Sequence, residues 1–350
     1  MKNPKVSGPI SNVNARAVST HSSEIVAAGY AYPSEIVDND TFFARCRFPI
    51  AEDRQALVDE TRMKTRRWCT DTENTWTLAR SAVEMALKAD PKLKDEIDLV
   101  VVASGTTMPV LHAPEVDNAG VADLAPLVLR ELGRDDALGF DVKACYCTGF
   151  LRGLHVADAM LSNRGYRAAL VIATEQGSRF AIAETNRSTF CFIMSDAAGA
   201  VVLRRRERTG GVGIVDHRGH TEAGKHAWVG IGPDAASTIM RGSRAGEATM
   251  TMLVDCARSL MSRNYLTTRD VRWLLPIQTH ARIVDGLAAS LDWPADKVLW
   301  NGDVTGFSGS ASIPAALAEH IHSGRIQKGD LILSVAVGAG MNCAGALFHY

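Results

Sequence analysis

The sequence predicts an α/β fold of two fused, duplicated halves, with the functional site between them. Three observations carry this. Continuous apolar runs such as Leu99–Ala103 and Ala168–Ala173 suit strands buried on both faces. They alternate with segments whose apolar residues recur at helical spacing, which is the grammar of βα units. Two stretches of the first half also have echoes in the second. Asn163-Arg164-Gly165 leading into Ala168–Ala173 resembles Ser323-Gly324-Arg325 leading into Leu331–Ala336, and Ala198-Gly199-Ala200-Val201-Val202 resembles Ala344-Gly345-Ala346-Leu347-Phe348.

Taken in order, Glu24–Tyr30 reads as a short strand closed by Tyr32-Pro33, and Asp38-Asn39-Asp40 supplies capping residues for a helix from about Thr41. Trp76, Ala79, Ala82, Val83, Ala86 and Leu87 form one helical face, and Leu99–Ala103 is the central strand after it. The pattern lapses into a loop from Met108 to Ala119. Val121, Leu124, Val128 and Leu132 then restore a helix, in which Pro126 is tolerated only in the first turn. Leu138–Val142 is a strand, and Phe150, Leu151, Leu154, Ala157 and Met160 mark the next helix. After Ala168–Ala173, the small residues of Ser195-Asp196-Ala197-Ala198-Gly199-Ala200 permit close approach before a strand resumes. The second half repeats this with helices at Ala248–Met261, Ile283–Leu291 and Ser312–Ile321, and strands at Arg272–Pro276, Val298–Trp300 and Leu331–Val337. The boundaries expected are a loose tail over 1–22, halves over 23–205 and 247–350, and a connection over 206–246, which is rich in Gly, Arg and His.

A chain of 350 residues that is 46% hydrophobic can fill a large core. Lys plus Arg (38) and Asp plus Glu (39) nearly cancel, so no global field draws the protein to nucleic acid or to an acidic membrane. The seven cysteines, at 46, 69, 145, 147, 191, 256 and 343, make no disulfide framework and point to a reduced, cytoplasmic setting. Cys145 and Cys147 form C-x-C without a second Cys or His pair, so no metal is expected. The polar N-terminus carries neither a signal peptide nor a membrane span.

Two stretches carry chemistry. Ala144-Cys145-Tyr146-Cys147-Thr148-Gly149-Phe150 joins a strand to a helix, and a cysteine at a helix N-terminus is favoured as thiolate by unpaired N–H groups and the macrodipole. Most cysteines are small buried hydrophobes, so this placement needs supporting context. The basic run Thr61-Arg62-Met63-Lys64-Thr65-Arg66-Arg67-Trp68 is either a solvated face or a local phosphate site of Arg forks beside an aromatic.

Cys147-Thr148-Gly149-Phe150, Ser195–Ala200, Trp273-Leu274-Leu275-Pro276 with Gln278, and Gly338-Ala339-Gly340 together resemble ketoacyl-ACP synthase III enzymes of the thiolase superfamily, in order and over residues 24 to 350. The resemblance implies a five-layered α/β/α/β/α fold and, as a rule, a homodimer. It also implies that Cys147 takes an acyl group from acyl-CoA or acyl carrier protein, with no further cofactor. The spacing from Asp141 is one residue long, which keeps Cys145 as an alternative nucleophile. Backbone N–H groups of Cys147 and Gly340 would form the oxyanion hole. Arg62 and Arg187 occupy places at which the family meets the carrier's pantetheine and phosphates.

Two departures change the expected chemistry. Where the family has Pro-His-Gln this chain has Pro276-Ile277-Gln278, and where it has Gly-Asn this chain has Gly306-Phe307. Ile277 and Phe307 cannot donate the hydrogen bonds that stabilise the enolate left when a malonyl thioester loses carbon dioxide. The expectation is therefore acyl transfer from Cys147 to an amine, alcohol or activated carbon acid, in secondary-metabolite or fatty-acid-type biosynthesis, without ordinary malonyl decarboxylation. His280, three residues beyond Ile277, is the candidate base, with His112 behind it, and Glu175, just beyond the Ala168–Ala173 strand, is expected to face the same cavity. The alternatives are a decarboxylating synthase with His280 as a rearranged base, and a non-catalytic subunit that pairs with a related synthase.

Overall fold

The computed structural model describes residues 21–47, 50, 53–106, 123–143, 146–162, 165–182, 189–207, 212–231, 238–240 and 242–350. His112, Cys145, Arg187 and the expected loop over Met108–Ala119 lie outside them. The first half opens with β1 (His21–Ala31), β2 (Glu35–Asp38), α1 (Asn39–Arg45), α2 (Arg54–Thr61) and β3 (Thr65–Trp68). It continues with α3 (Thr75–Leu87), β4 (Ile97–Ala103), α4 (Ala125–Leu132), β5 (Leu138–Val142), α5 (Gly149–Leu161), β6 (Ala168–Gln176), α6 (Ser178–Ala181) and β7 (Asp196–Glu207). The second half holds β8 (Ile214–Thr221), β9 (Val229–Ile231), β10 (Thr238–Met240), α7 (Gly242–Arg263) and β11 (Trp273–Pro276). It closes with α8 (Ala281–Ser290), α9 (Gly302–Thr305), α10 (Ser312–His322), β12 (Leu331–Gly338) and β13 (Asn342–His349).

The two large sheets share one topology. The first runs β1-β7-β6-β4-β5, with β7 antiparallel to β1 and to β6, and β4 parallel to β6 and β5. The second runs β8-β13-β12-β11, with β13 antiparallel to β8 and β12, and β11 parallel to β12. A parallel bridge from Leu274 to Val298 stands where β5 stands in the first sheet. The sequence echoes thus mark β6 and β7 against β12 and β13, equivalent antiparallel pairs.

Side-chain alternation builds the layers. Leu99, Val101 and Ala103 of β4 face a central core shared by both halves, while Ile97, Val100 and Val102 face an outer core with α3 and α4. α5 and α10 lie between the sheets, and α7 with α8 covers the far face of the second. The result is five layers, α/β/α/β/α.

Three expected boundaries are corrected. β1 begins at His21, inside the stretch assigned to the tail. β8 lies within 206–246 and pairs along β13 from Ile214 to Thr221, so this part of the expected connection belongs to the second sheet. Val298–Trp300 forms a single bridge and no strand. Elsewhere the local signals hold: the Asp38 side chain accepts from Thr41 N–H to cap α1, and Pro126 falls in the first turn of α4.

Candidate active site around Cys147

A short 3-10 turn, Tyr146–Thr148, feeds directly into α5. Tyr146 has φ 49°, a left-handed conformation rare for a residue with a bulky side chain, so the turn carries local strain immediately before Cys147. Cys147 is half-buried and packs against the central apolar core, at the N-terminal end of α5, where the helix field favours a thiolate. The turn rests on β12 and on a second 3-10 turn, Gly309–Ala311. Gly105 must be glycine here: a Cβ would lie 2.1 Å from the Tyr146 ring.

Ile277, one residue beyond β11, and Phe307, two residues before the 309–311 turn, belong to the central core that Cys147 packs against, 2% and 1% exposed. Their backbone groups are committed as well. Ile277 N–H donates to Val335 O at 2.9 Å on β12, and Phe307 N–H donates to Ile193 O at 2.7 Å. The Phe307 ring meets Phe190 edge-on at 5.5 Å between centroids. Gln278, the surviving polar residue of that motif, is a structural bracket: its amide donates to Pro276 O and Leu299 O and its carbonyl accepts from Asn301 N–H.

Ser195 shows why its small-residue segment is built as it is. Its hydroxyl lies within hydrogen-bond distance of Arg67 O and Thr305 O and accepts from Arg67 N–H, while Ser195 N–H donates to Phe307 O. It therefore ties β3 to the segment that presents Phe307. Gly306, at φ 72°, lets this happen, since a Cβ there would lie 2.5 Å from that of Ser195.

The remaining expectations divide. His280 stands at the N-cap of α8 without a side-chain cap bond; burial, first, and Arg282 lower its pKa, while Glu60 opposes them. Its charged neighbours thus lie on α2 and α8, and its Nδ1 is buried without a hydrogen-bond partner. Gly340, at φ 94°, directs its N–H to Val229 O at 3.4 Å. That long contact means the donor expected to serve an oxyanion points at β9, because the left-handed glycine turns the peptide towards the β9 backbone.

The basic run splits in two. Arg66 is fully buried, its guanidinium 4.8 Å from the Phe42 ring centre and 4.6 Å from that of Phe192, donating to Val37 O, Asp38 O and Asn39 Oδ1. It is a core cation, not a phosphate ligand. Arg62 is exposed beside Trp300, at 4.9 Å, but pairs with Asp285 at 2.8 Å, and Lys64 pairs with Asp303 at 2.8 Å. A phosphate at Arg62 must compete with that carboxylate.

Sequence reasoning missed how Glu175 is held. At the end of β6 it accepts from Ser104, Gly105 N–H, Thr106 and Ser310. Desolvation raises its pKa above the ordinary value and the hydrogen bonds pull it back. Tyr146 feels both Glu175 and Cys147, which push its phenol up after burial does. Among the described residues no group of three or more His, Cys, Asp or Glu could hold a metal ion, and no helix is long and apolar enough to cross a membrane.

Comparison with known proteins agrees with this geometry. The family model described as 3-oxoacyl-[acyl-carrier-protein] synthase III matches residues 140–223, and that of its C-terminal part matches 261–350. The beta-ketoacyl-[acyl-carrier-protein] synthase III of Rhodospirillum centenum is 32% identical over 336 residues, covering 94% of this chain and 99% of that protein. The crystal structure of 3-oxoacyl-[acyl-carrier-protein] synthase III from Aquifex aeolicus superposes with TM-score 0.81 at 26% identity, over 94% of this chain and all of that one. The priming beta-ketosynthase of the R1128 polyketide pathway gives 0.79 at 26% identity, over 93% of this chain and 96% of its own. With a duplicated five-layer fold and a cysteine at the head of its central helix, the chain belongs to the 3-oxoacyl-[acyl-carrier-protein] synthase III family.

Proposed function

We propose that this chain is an acyltransferase of the synthase III type that loads an acyl group on Cys147 and passes it on without ordinary malonyl decarboxylation. The Cys147 thiolate attacks the thioester carbon of acyl-CoA or acyl carrier protein, and the carrier's thiolate leaves with the bonding electrons and takes up the thiol's proton. An amine, alcohol or activated carbon acid then adds to the acyl-Cys147 carbonyl, loses its proton, and Cys147 leaves as the thiolate. The observation that carries this reading is a half-buried cysteine at a helix N-terminus that packs against the same central core as Ile277 and Phe307, neither of which has a free hydrogen-bond donor.

Arg62, with Arg187, is the proposed carrier contact, and the Cys147 N–H with that of Gly340, once freed from Val229, the oxyanion site. The rearranged-base alternative draws no support from His280, whose electrostatic partners are Glu60 and Arg282. The R1128 relative primes a polyketide pathway, which favours a secondary-metabolite setting. A homodimer, or a heterodimer with a related synthase, accords with β5 lying at a sheet edge with Leu138 43% exposed. The test is to mix isolated acyl-enzyme with amine, alcohol and carbon-acid acceptors and follow its mass. Loss of the acyl mass with formation of an acylated acceptor is expected; an acyl-enzyme that only malonyl thioester discharges, with carbon dioxide release, overturns the proposal.

A further inference from the structure

Glu175 is fully buried, and the donors around it are all neutral. Its oxygens accept from Ser104 Oγ at 3.3 Å, Gly105 N–H at 3.0 and 3.1 Å, and Thr106 Oγ1 and Ser310 Oγ, both at 2.5 Å. An ionised carboxylate is acceptor-only, which matches this set of donors. The hydroxyls of Ser104 and Thr106 themselves accept from Thr106 N–H and Gln176 N–H, so their protons are directed at Glu175. A protonated Glu175 becomes a donor itself, so at least one of these contacts must reverse or break; Ser310 Oγ, which also lies 3.4 Å from Ala103 O, is the hydroxyl with another acceptor to turn to.

Two routes carry such a break to the nucleophile. Gly105 is held by Glu175 through its N–H, and the Tyr146 ring occupies the space its Cβ would fill. Ser310 belongs to the 309–311 turn, which packs on the turn bearing Cys147. Among the described residues the titratable group shown to feel Glu175 is Tyr146, which also feels Cys147. β4 and the 309–311 turn present hydroxyls and backbone, and Asp196 on neighbouring β7 is taken up by Ser178 and Cys69 N–H.

We infer that Glu175, in its ionised form, is a positioning residue that clamps the end of β4 and the 309–311 turn around Cys147 and so sets the thiolate for attack. This rests on the reading that Cys147 is acylated. Because burial raises Glu175, its protonation falls above the ordinary glutamate value of 4.5.

The test is the rate of acyl-Cys147 formation at saturating acyl thioester from about pH 5 to about pH 8.5, with fold followed by circular dichroism. The wild type should lose rate through two protonations, Cys147 and Glu175, so that log rate against pH approaches a slope of about two at the acid end. Glu175→Gln should be slower at neutral pH by roughly tenfold to a hundredfold, with little change in half-saturation, and its acid slope should fall to about one. Ser310→Ala removes one donor and leaves the charge, so its rate should drop with the steeper slope kept. A Glu175→Gln profile with the wild-type slope, displaced by one factor at every pH, overturns the inference. If no thioester acylates the wild type, the acylation reading fails by itself. The clamp is then read from iodoacetamide alkylation of Cys147, where the same pair of slopes is expected and equal slopes overturn it.

Discussion

Malonyl thioester puts Ile277 and Phe307 under direct test. Loss of carbon dioxide leaves an enolate oxygen that needs donors fixed in advance. Neither side chain has one, and the two backbone N–H groups are already bonded, at 2.9 Å to Val335 O and 2.7 Å to Ile193 O. One missing donor of this kind costs about 10²–10³ in rate. Two missing donors amount to roughly 10⁴–10⁶, or about 5–8 kcal/mol of barrier. The assay is release of labelled carbon dioxide from malonyl thioester, with Cys147→Ala as blank and a decarboxylating relative as standard. The wild type should stay near the blank, and Ile277→His with Phe307→Asn should raise release measurably above it. Release within about tenfold of the relative, abolished by His280→Ala, would refute the reasoning and restore His280 as the base.

Three further outcomes follow from the geometry. Arg66→Met leaves Val37 O, Asp38 O and Asn39 Oδ1 without their donor between two aromatic rings, and should lower the free energy of unfolding by about 3 kcal/mol in denaturant titration; a loss under about 1 kcal/mol would contradict a structural role. Gly105→Ala drives a Cβ to 2.1 Å from the Tyr146 ring, so acylation of Cys147 should slow at least tenfold while the fold is kept; unchanged acylation would mean that Tyr146 does not position the turn. His320 is pushed down to about 4 by burial, first, and by Arg325, so the unfolded chain binds its proton more tightly than the folded one. The stability this group contributes is present above the unfolded value of 6.5 and is lost as pH falls towards 4. His320→Asn should flatten that loss, about 3 kcal/mol at most; equal acid sensitivity in both proteins would contradict the assignment.

Much of the fold was legible because its signals are local. Leu99–Ala103 and Ala168–Ala173 are apolar on successive residues since each strand feeds two cores, and Asp38 and Pro126 announced helix starts through backbone constraints that need no tertiary partner. β8 was not legible: Ile214–Thr221 is an outer strand, largely half-buried or exposed, carrying Asp, Arg and two His, so it lacks the apolar pattern of its partners. The basic run misled because charge is read from sequence as exposure, whereas the rings of Phe42 and Phe192, distant in sequence, enclose Arg66. The place of Cys147 at a strand-to-helix junction was legible. The Glu175 clamp was not, since its donors come from residues 104–106 and 310 and none is unusual alone.

Intact-protein mass after incubation with short, medium and long acyl thioesters of coenzyme A and acyl carrier protein tests the central claim most directly. One acyl mass should appear on the wild type and on Cys145→Ala, and be absent from Cys147→Ala. Label that follows Cys145 would place the nucleophile two residues earlier in the sequence. No acyl mass on any protein, with any chain length or carrier, would contradict the acyltransferase account and leave the partner-subunit reading in its place.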